Sequence, residues 1–420
     1  MTSIEIQTFG TIGRRLLPLL TIAYVVNFLD RTNVGFAALT MNEDVGLSAS
    51  EFGYGAGALF LGYCLFEVPS NVALYRFGAR VWLSRIMVSW GLISAAMIFT
   101  VGPKSFYLLR FLLGAAEAGF FPGAAFYLSQ WFPAEYRGRI LAWFLVGIPA
   151  SSLIGGPISG LLLEMHGIAG LSGWKWLFII ESLPAIILGL ALPFALVDTP
   201  EQAQWLTEEQ KRVVRARLAS ETRERERRHL WAGLRDGRVA LLALIQFSFT
   251  VGAYGVGIFL PLIIKTENFS NFTIGFLTAA PNLVACAVMV YWAAVVDRSG
   301  QKIFNLASTC VMSGLGLIFA VWANSFVLSM VGLTVVIVGT NTARAIFWTI
   351  PTRFLAGIGA AGGLALINSV GTIGGFVGPS IMGVLKDASG SFSTGLVALS
   401  GFLFASAILA LSLRLLIKHE

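Results

Sequence analysis

The chain has 420 residues, 56% of them hydrophobic and only 12% charged. Soluble domains carry about 25% charged residues, so this composition excludes an ordinary soluble protein and suits a chain whose apolar side chains face lipid. The formal charge of +7 is scattered through short segments between apolar runs, which argues against a nucleic-acid patch and for loops at a membrane face.

Crossing ~30 Å of hydrocarbon takes about 20 mostly apolar residues. Twelve runs qualify: 16–37, 52–75, 82–101, 105–131, 139–163 and 175–197, then 239–264, 271–296, 303–322, 326–350, 356–385 and 391–416. Arg14 and Arg15 precede the first run, but further runs follow, so it reads as a span and not as a cleaved signal. The expected fold is an all-α membrane protein with twelve transmembrane helices.

An even number of spans puts both termini on one side. That side holds Arg14, Arg15, Arg76, Arg80, Arg137, Arg139, Arg298, Lys302, Arg353, Arg414 and Lys418. The other side holds little beyond Lys104, Lys175, Lys265 and Lys386. The positive-inside rule makes both termini cytoplasmic, with a bacterial inner membrane as the expected location. Abundant glycine, 46 residues, suits close packing of helices in lipid.

The segment 198–238 is different in composition. It has Thr199-Pro200, a Thr207-x-x-Gln210 capping box and a charged run from Glu221 to Arg228. One or two short amphipathic helices on the cytoplasmic surface are expected there. They would link an N-terminal six-helix bundle, 1–197, to a C-terminal one, 239–420.

The two halves echo each other at one offset of 222 residues. Arg76-x-Gly78-x-Arg80 pairs with Arg298-x-Gly300-x-Lys302, preceded in the second copy by Asp297. Gly156-Pro157 pairs with Gly378-Pro379, and Phe132 with Phe354. This argues for two pseudo-symmetric bundles with a substrate site between them near the midplane. The loop motifs, the Gly-Pro elements and the six-plus-six plan resemble the major facilitator superfamily. Asn71 stands where that family's loop motif usually has Gly, and Tyr75 where it usually has Asp.

Charges inside the spans are costly, ~3 kcal/mol on insertion scales, and are functional candidates by default. Span 1 carries Asp30 and Arg31, ~22 Å up from its cytoplasmic end. Span 4 runs the other way and carries Arg110 ~8 Å below its outer end, at a similar depth. Glu117 lies two turns further on the same face, ~10 Å deeper. Gly114, between them, is expected to leave open space. Two guanidinium groups at one depth can take a carboxylate bidentately, with Asp30 pairing one of them in the empty site. Glu117 sits where a low dielectric disfavours its charged form, which makes it a candidate proton carrier. At the 222 offset, Arg31, Arg110 and Glu117 meet Ala253, Gly332 and Gly339, so the fold itself does not require these charges.

Within that superfamily the stretches Asp30-Arg31-Thr32-Asn33 and Arg110-Phe111-Leu112-Leu113-Gly114 with Glu117-Ala118-Gly119 resemble the anion:cation symporter family. Gly62-Tyr63, Glu67-Val68-Pro69-Ser70-Asn71, Gly173-Trp174-Lys175-Trp176 and Gly363 to Ser369 extend the resemblance over nearly the whole chain. That family includes permeases for phthalate, tartrate, 4-hydroxyphenylacetate and sugar acids, with sialin and the vesicular glutamate transporters. The resemblance implies that Arg31 and Arg110 meet the substrate anion, and that Asp30 and Glu117 serve proton coupling. Bacterial members usually import their substrate with protons.

Other polar positions extend the candidate cavity. Tyr24 and Asn27 lie below Asp30 on span 1, and Tyr63 lies in span 2. Asn282 and Asn368 reach ~17 Å along their helices, near the midplane. Tyr254, Phe259 and Trp348 could stack on a ring. Glu67 is expected to bond backbone freed by Pro69, with a proton relay as the rival reading, and Glu181 to be interfacial. Arg344 is expected to snorkel from the cytoplasmic end of span 10, with a second carboxylate site as the rival reading. Cys64, Cys286 and Cys310 read as small buried hydrophobes. His166, His229 and His419 lie in loops or the tail, and no P-loop, metal or cofactor pattern is present, so no enzyme is expected.

The expected function is therefore a proton-coupled symporter importing an organic carboxylate by alternating access, acting as a monomer on a small anion and protons. A sodium-coupled carrier, a passive exchanger and a membrane sensor are the rivals.

Overall fold

A backbone in lipid must satisfy its own hydrogen bonds, and the apolar runs do so as helices. The computed structural model describes residues 3–225, 237–351 and 358–417. Regular structure among these is helical throughout. The first half comprises α1 (Ser3–Val45), α2 (Ala49–Phe77), α3 (Ala79–Ala96), α4 (Pro103–Glu117), α5 (Phe120–Ser129), α6 (Ala134–Leu163) and α7 (Gly173–Ala195). A connecting helix α8 (Glu208–Arg225) follows. The second half comprises α9 (Gly237–Lys265), α10 (Asn271–Ser299), α11 (Lys302–Trp322), α12 (Phe326–Phe347), α13 (Ile358–Ser389) and α14 (Phe392–Ile417). Twelve segments are long and apolar enough to span a membrane, with α4 and α5 together forming the fourth.

Two boundaries differ from expectation. The first helix runs well past 16–37 at both ends. Its N-terminal turns are held by α8, where the Arg217 guanidinium bonds the Glu5 carboxylate at 2.9 and 3.2 Å. Span 4 is broken at Ala118-Gly119, where Gly119 adopts φ +87°. A Cβ there would strike the Ser70 hydroxyl, so this break needs glycine twice over.

Packing repeats between the halves. In the first, α1 packs on α6 and α7, α2 on α4, and α3 on α4 and α7. In the second, α9 packs on α13 and α14, α10 on α12, and α11 on α12 and α14. The halves meet through α2 with α13, α6 with α10, and α1 with α9. Glycine makes these crossings close. Gly53 of α2 abuts the Pro379 carbonyl of α13, and Gly275 of α10 abuts the Gly156 carbonyl of α6. Gly53 and Gly275 are themselves 222 residues apart.

On the side away from the termini the halves are latched. Asp387, at the end of α13, accepts hydrogen bonds from the Ala49 and Ser50 amides at the start of α2, at 3.1 and 2.8 Å. A carboxylate at a helix N-terminus is favoured by the exposed amides and the helix dipole. Lys265 reaches the Leu39 carbonyl from the other half.

The central segment forms the capping box read from its sequence. Thr207 Oγ1 accepts from the Gln210 amide at 3.3 Å, and Gln210 Oε1 accepts from the Thr207 amide at 3.0 Å. The loop glycines also have a structural reason. Gly78 (φ +84°) and Gly300 (φ +66°) end α2 and α10 in backbone that disfavours other residues. Asp198 accepts from the Arg80 amide at 2.9 Å and lies against Gly78, a partner not anticipated from sequence. Arg76, Arg80 and Arg298 are exposed. The Asp297 side chain, like Arg353, Phe354 and His229, lies outside the described residues.

Candidate functional site

The first-half charges assemble around one ion pair. Arg31 Nε donates to Glu117 Oε2 at 2.7 Å, joining α1 to the last residue of α4. Glu117 is fully buried and Arg31 is 9% exposed. The Arg31 guanidinium also lies over the rings of Tyr63 and Phe28, at 4.7 and 5.3 Å. These aromatic faces stabilise a cation that the membrane interior would otherwise penalise.

Asp30 points elsewhere. Its carboxylate accepts from Ser94 Oγ at 2.7 Å and Trp90 Nε1 at 2.9 Å, both on α3. The expected pairing of Asp30 with an arginine in the empty site is thus corrected, because three neutral donors, with Asn33 Nδ2 at 3.4 Å the third, already satisfy it. Glu181, expected at the interface, is instead buried between α6 and α7 and accepts from Ser159 Oγ at 2.6 Å.

A polar cavity of about 80 Å³ lies between the halves. Its walls include Tyr24, Phe28, Arg31, Phe60, Tyr63 and Phe121 from the first half, and Gln246, Thr250, Tyr254, Arg344, Trp348, Asn368 and Thr372 from the second. An adjoining cavity of about 90 Å³ shares Phe28, Ile148, Tyr254 and Arg344, and adds Thr32, Thr278, Asn282 and Asn341. Each is room for only a few waters at ~30 Å³ apiece, so the site is narrow between the halves. Larger hollows occur elsewhere. One of about 520 Å³ is an apolar groove along α11, and one of about 660 Å³ lies among the loop ends of the second half. Neither touches the Arg31–Glu117 pair.

Arg31, Tyr24, Tyr63, Tyr254 and Asn368 therefore come together as expected, with Asn282 in the adjoining cavity. Arg110 does not join them. It is fully buried, and its three guanidinium nitrogens have no hydrogen-bond partner among the described residues. The reason is Gly114, which is pressed on the Leu59 backbone instead of leaving open space. This closes that face of α4 against α2 and walls Arg110 off from the cavity. It stays within electrostatic reach of Glu117 and Asp30. Asn27 is likewise buried outside the lining residues.

Glu67 also departs from expectation. Its Oε1 accepts from Asn368 Nδ2 at 2.6 Å, a hydrogen bond between α2 and α13 that ties the halves beside the cavity. Phe259 packs on Phe52 and Phe392 away from the cavity. Arg344 does not snorkel. It turns into both cavities, 5.6 Å from the Tyr254 ring.

Gln246 and Thr250 were missed in the sequence. The signal was available, because they stand 222 residues from Tyr24 and Phe28, which line the same cavity from the opposite half.

Two like-packed sets of spanning helices around a cavity lined by polar groups from both define a polytopic membrane carrier. The chain belongs to the Major Facilitator Superfamily, whose sequence profile matches residues 20–379. It is 47% identical over 412 residues to a protein of Agrobacterium vitis described as a candidate tartrate transporter, covering 98% of this chain and 92% of that one. It is 43% identical to a quinolone resistance transporter of Acinetobacter baumannii, covering 94% and 92%. It is 37% identical to the inner membrane transport protein RhmT of Escherichia coli, covering 95% and 94%. Among solved structures, a bacterial homologue of the human lysosomal transporter Spinster superposes with a TM-score of 0.78 at 16% identity, covering 96% and 97%. The xylose transporter XylE of E. coli superposes with 0.76 at 13% identity, covering 96% of each chain. The chain is thus a multi-pass membrane transport protein and not an enzyme.

Proposed function

We propose that the chain imports an organic carboxylate together with protons across a bacterial inner membrane, with both termini cytoplasmic and the monomer as the working unit. The observation that carries this reading is the Arg31–Glu117 ion pair at the cavity wall. Arg31 faces the cavity, while Glu117 holds it from behind. A substrate carboxylate and the Glu117 carboxylate compete for one guanidinium. A proton on Glu117 weakens its hold and frees Arg31 for the substrate, so binding of anion and proton favour each other. Asp30 is a second proton site, linked to α3. Arg110, enclosed near both acids, offers each an opposite charge.

A relative described as a candidate tartrate transporter supports an anionic cargo. Rocking of the halves about the cavity, opening the Glu67–Asn368 contact and the Asp387 latch in turn, would expose the site to each side.

The test uses purified protein in proteoliposomes with labelled L-tartrate. Acid outside should drive accumulation in the native protein. Glu117→Gln should abolish pH-driven accumulation while keeping exchange of internal for external substrate. Accumulation by that variant under a proton gradient would remove Glu117 from the coupling. Dependence on sodium at fixed pH would replace protons by sodium as the driving ion.

A further inference from the structure

The carboxylate reading uses one arginine of the cavity and leaves another unexplained. Arg344, near the end of α12, lines both cavities from the second half. No acid pairs with it among the described residues, and its only close partner there is the face of Tyr254. A guanidinium with five donors in a membrane interior is costly without an anion. Arg31, across the cavity, is matched by Glu117; Arg344 is not. Tyr24 lies within electrostatic reach of both arginines, and Tyr254 does too.

We propose that Arg344 is the second anion anchor of the cavity, and that the preferred substrate is a short dicarboxylate bridging Arg31 and Arg344. The inference rests on the carboxylate reading above and names the substrate class of that same site. One carboxylate takes Arg31 as Glu117 is protonated. The other completes Arg344 with no proton needed. The same cavity is lined by Gln246, Thr250 and Thr372, amide and hydroxyl groups that suit hydroxyls on the carbon chain. A monocarboxylate of equal length leaves Arg344 desolvated and uncompensated. The two anchors lie on opposite halves, so a bridging ligand also draws the halves together.

The experiment measures direct binding to the purified full chain in nanodiscs, using two matched four-carbon acids. L-tartrate has a carboxylate at each end, and L-threonate replaces one with a hydroxymethyl group. A charged hydrogen-bonded contact predicts that the native protein binds L-tartrate about 10- to 100-fold more tightly than L-threonate. Arg344→Gln should collapse that preference by weakening L-tartrate far more than L-threonate. Arg344→Lys, which keeps the charge without the planar fork, should fall between. The native preference is read without any variant, so a misfolded variant leaves the test intact. Equal binding of both acids by the native protein overturns the bridge and leaves the carboxylate reading standing. Binding of neither acid overturns both. Equal weakening of both acids by Arg344→Gln protein that is monodisperse and melts like the native chain also overturns the bridge.

Discussion

The two halves share a packing plan but treat the same positions oppositely. In the first half, Arg110 and Glu117 sit on α4 beside the buried carboxylate of Asp30. Their counterparts are Gly332 and Gly339 on α12, which press against Gly316 and Ala320, and against Thr309 and Ser313, all on α11. One half opens its helices enough to seat a buried charge network; the other closes them with glycine. The fold is satisfied by either solution, so helix packing by itself does not require the charges of the first half. The second half contributes Arg344 to the cavity between the halves, away from that network.

The sharpest way to break this comparison is to charge the second half. Gly339→Glu would drive a carboxylate into the α11 contact with no arginine beside it. We expect loss of folded carrier, more than ~4 kcal/mol, read as monodisperse yield after extraction. A stable variant would show that the second half has room that its packing denies.

Next in size is removal of a single charge from the first half. Arg31→Gln should abolish uptake and cost about 3–5 kcal/mol by leaving Glu117 buried and unpaired. Adding Glu117→Gln should restore most of the thermal stability without restoring uptake. No recovery in the double variant would mean the pair is not energetically coupled.

The crossings between the halves should respond alike. Gly53→Ala and Gly275→Ala each push a Cβ into a carbonyl of the other half, at about 1–3 kcal/mol. Both should raise solvent accessibility on the side away from the termini, measured by thiol labelling of cysteines placed there. A response from only one position would break the symmetry.

The smallest effect is expected from Asn368→Ala. It removes one cross-half hydrogen bond to Glu67, worth ~1 kcal/mol, and should change turnover a few-fold with little change in melting temperature. An unchanged rate would leave that bond without a part in the rocking motion.

Much of this was legible beforehand. Apolar run length marks spans because lipid offers the backbone no partners, and a repeat at one offset survives as long as the packing positions do. Arg31 and Glu117 stood out for the same reason, since an intramembrane charge is too costly to stand without a partner. The reading failed where two helices had to be placed against each other. Gly114 looks like open space along α4 alone, and only the approach of Leu59 turns it into a wall that seals Arg110 away. Arg344 looks like a snorkelling end residue along α12 alone, and only Tyr254 on α9 shows where it turns.

Local chemistry along the chain was enough to say which residues carry charge into the membrane, how many helices cross it and that the halves repeat. Depth and helical face follow from a fixed rise and turn, so they too were in reach. Which charges meet each other, and which of them see the cavity, depended on contacts between helices far apart in sequence. Those contacts are set by side-chain volume on both partners at once, which no single segment encodes.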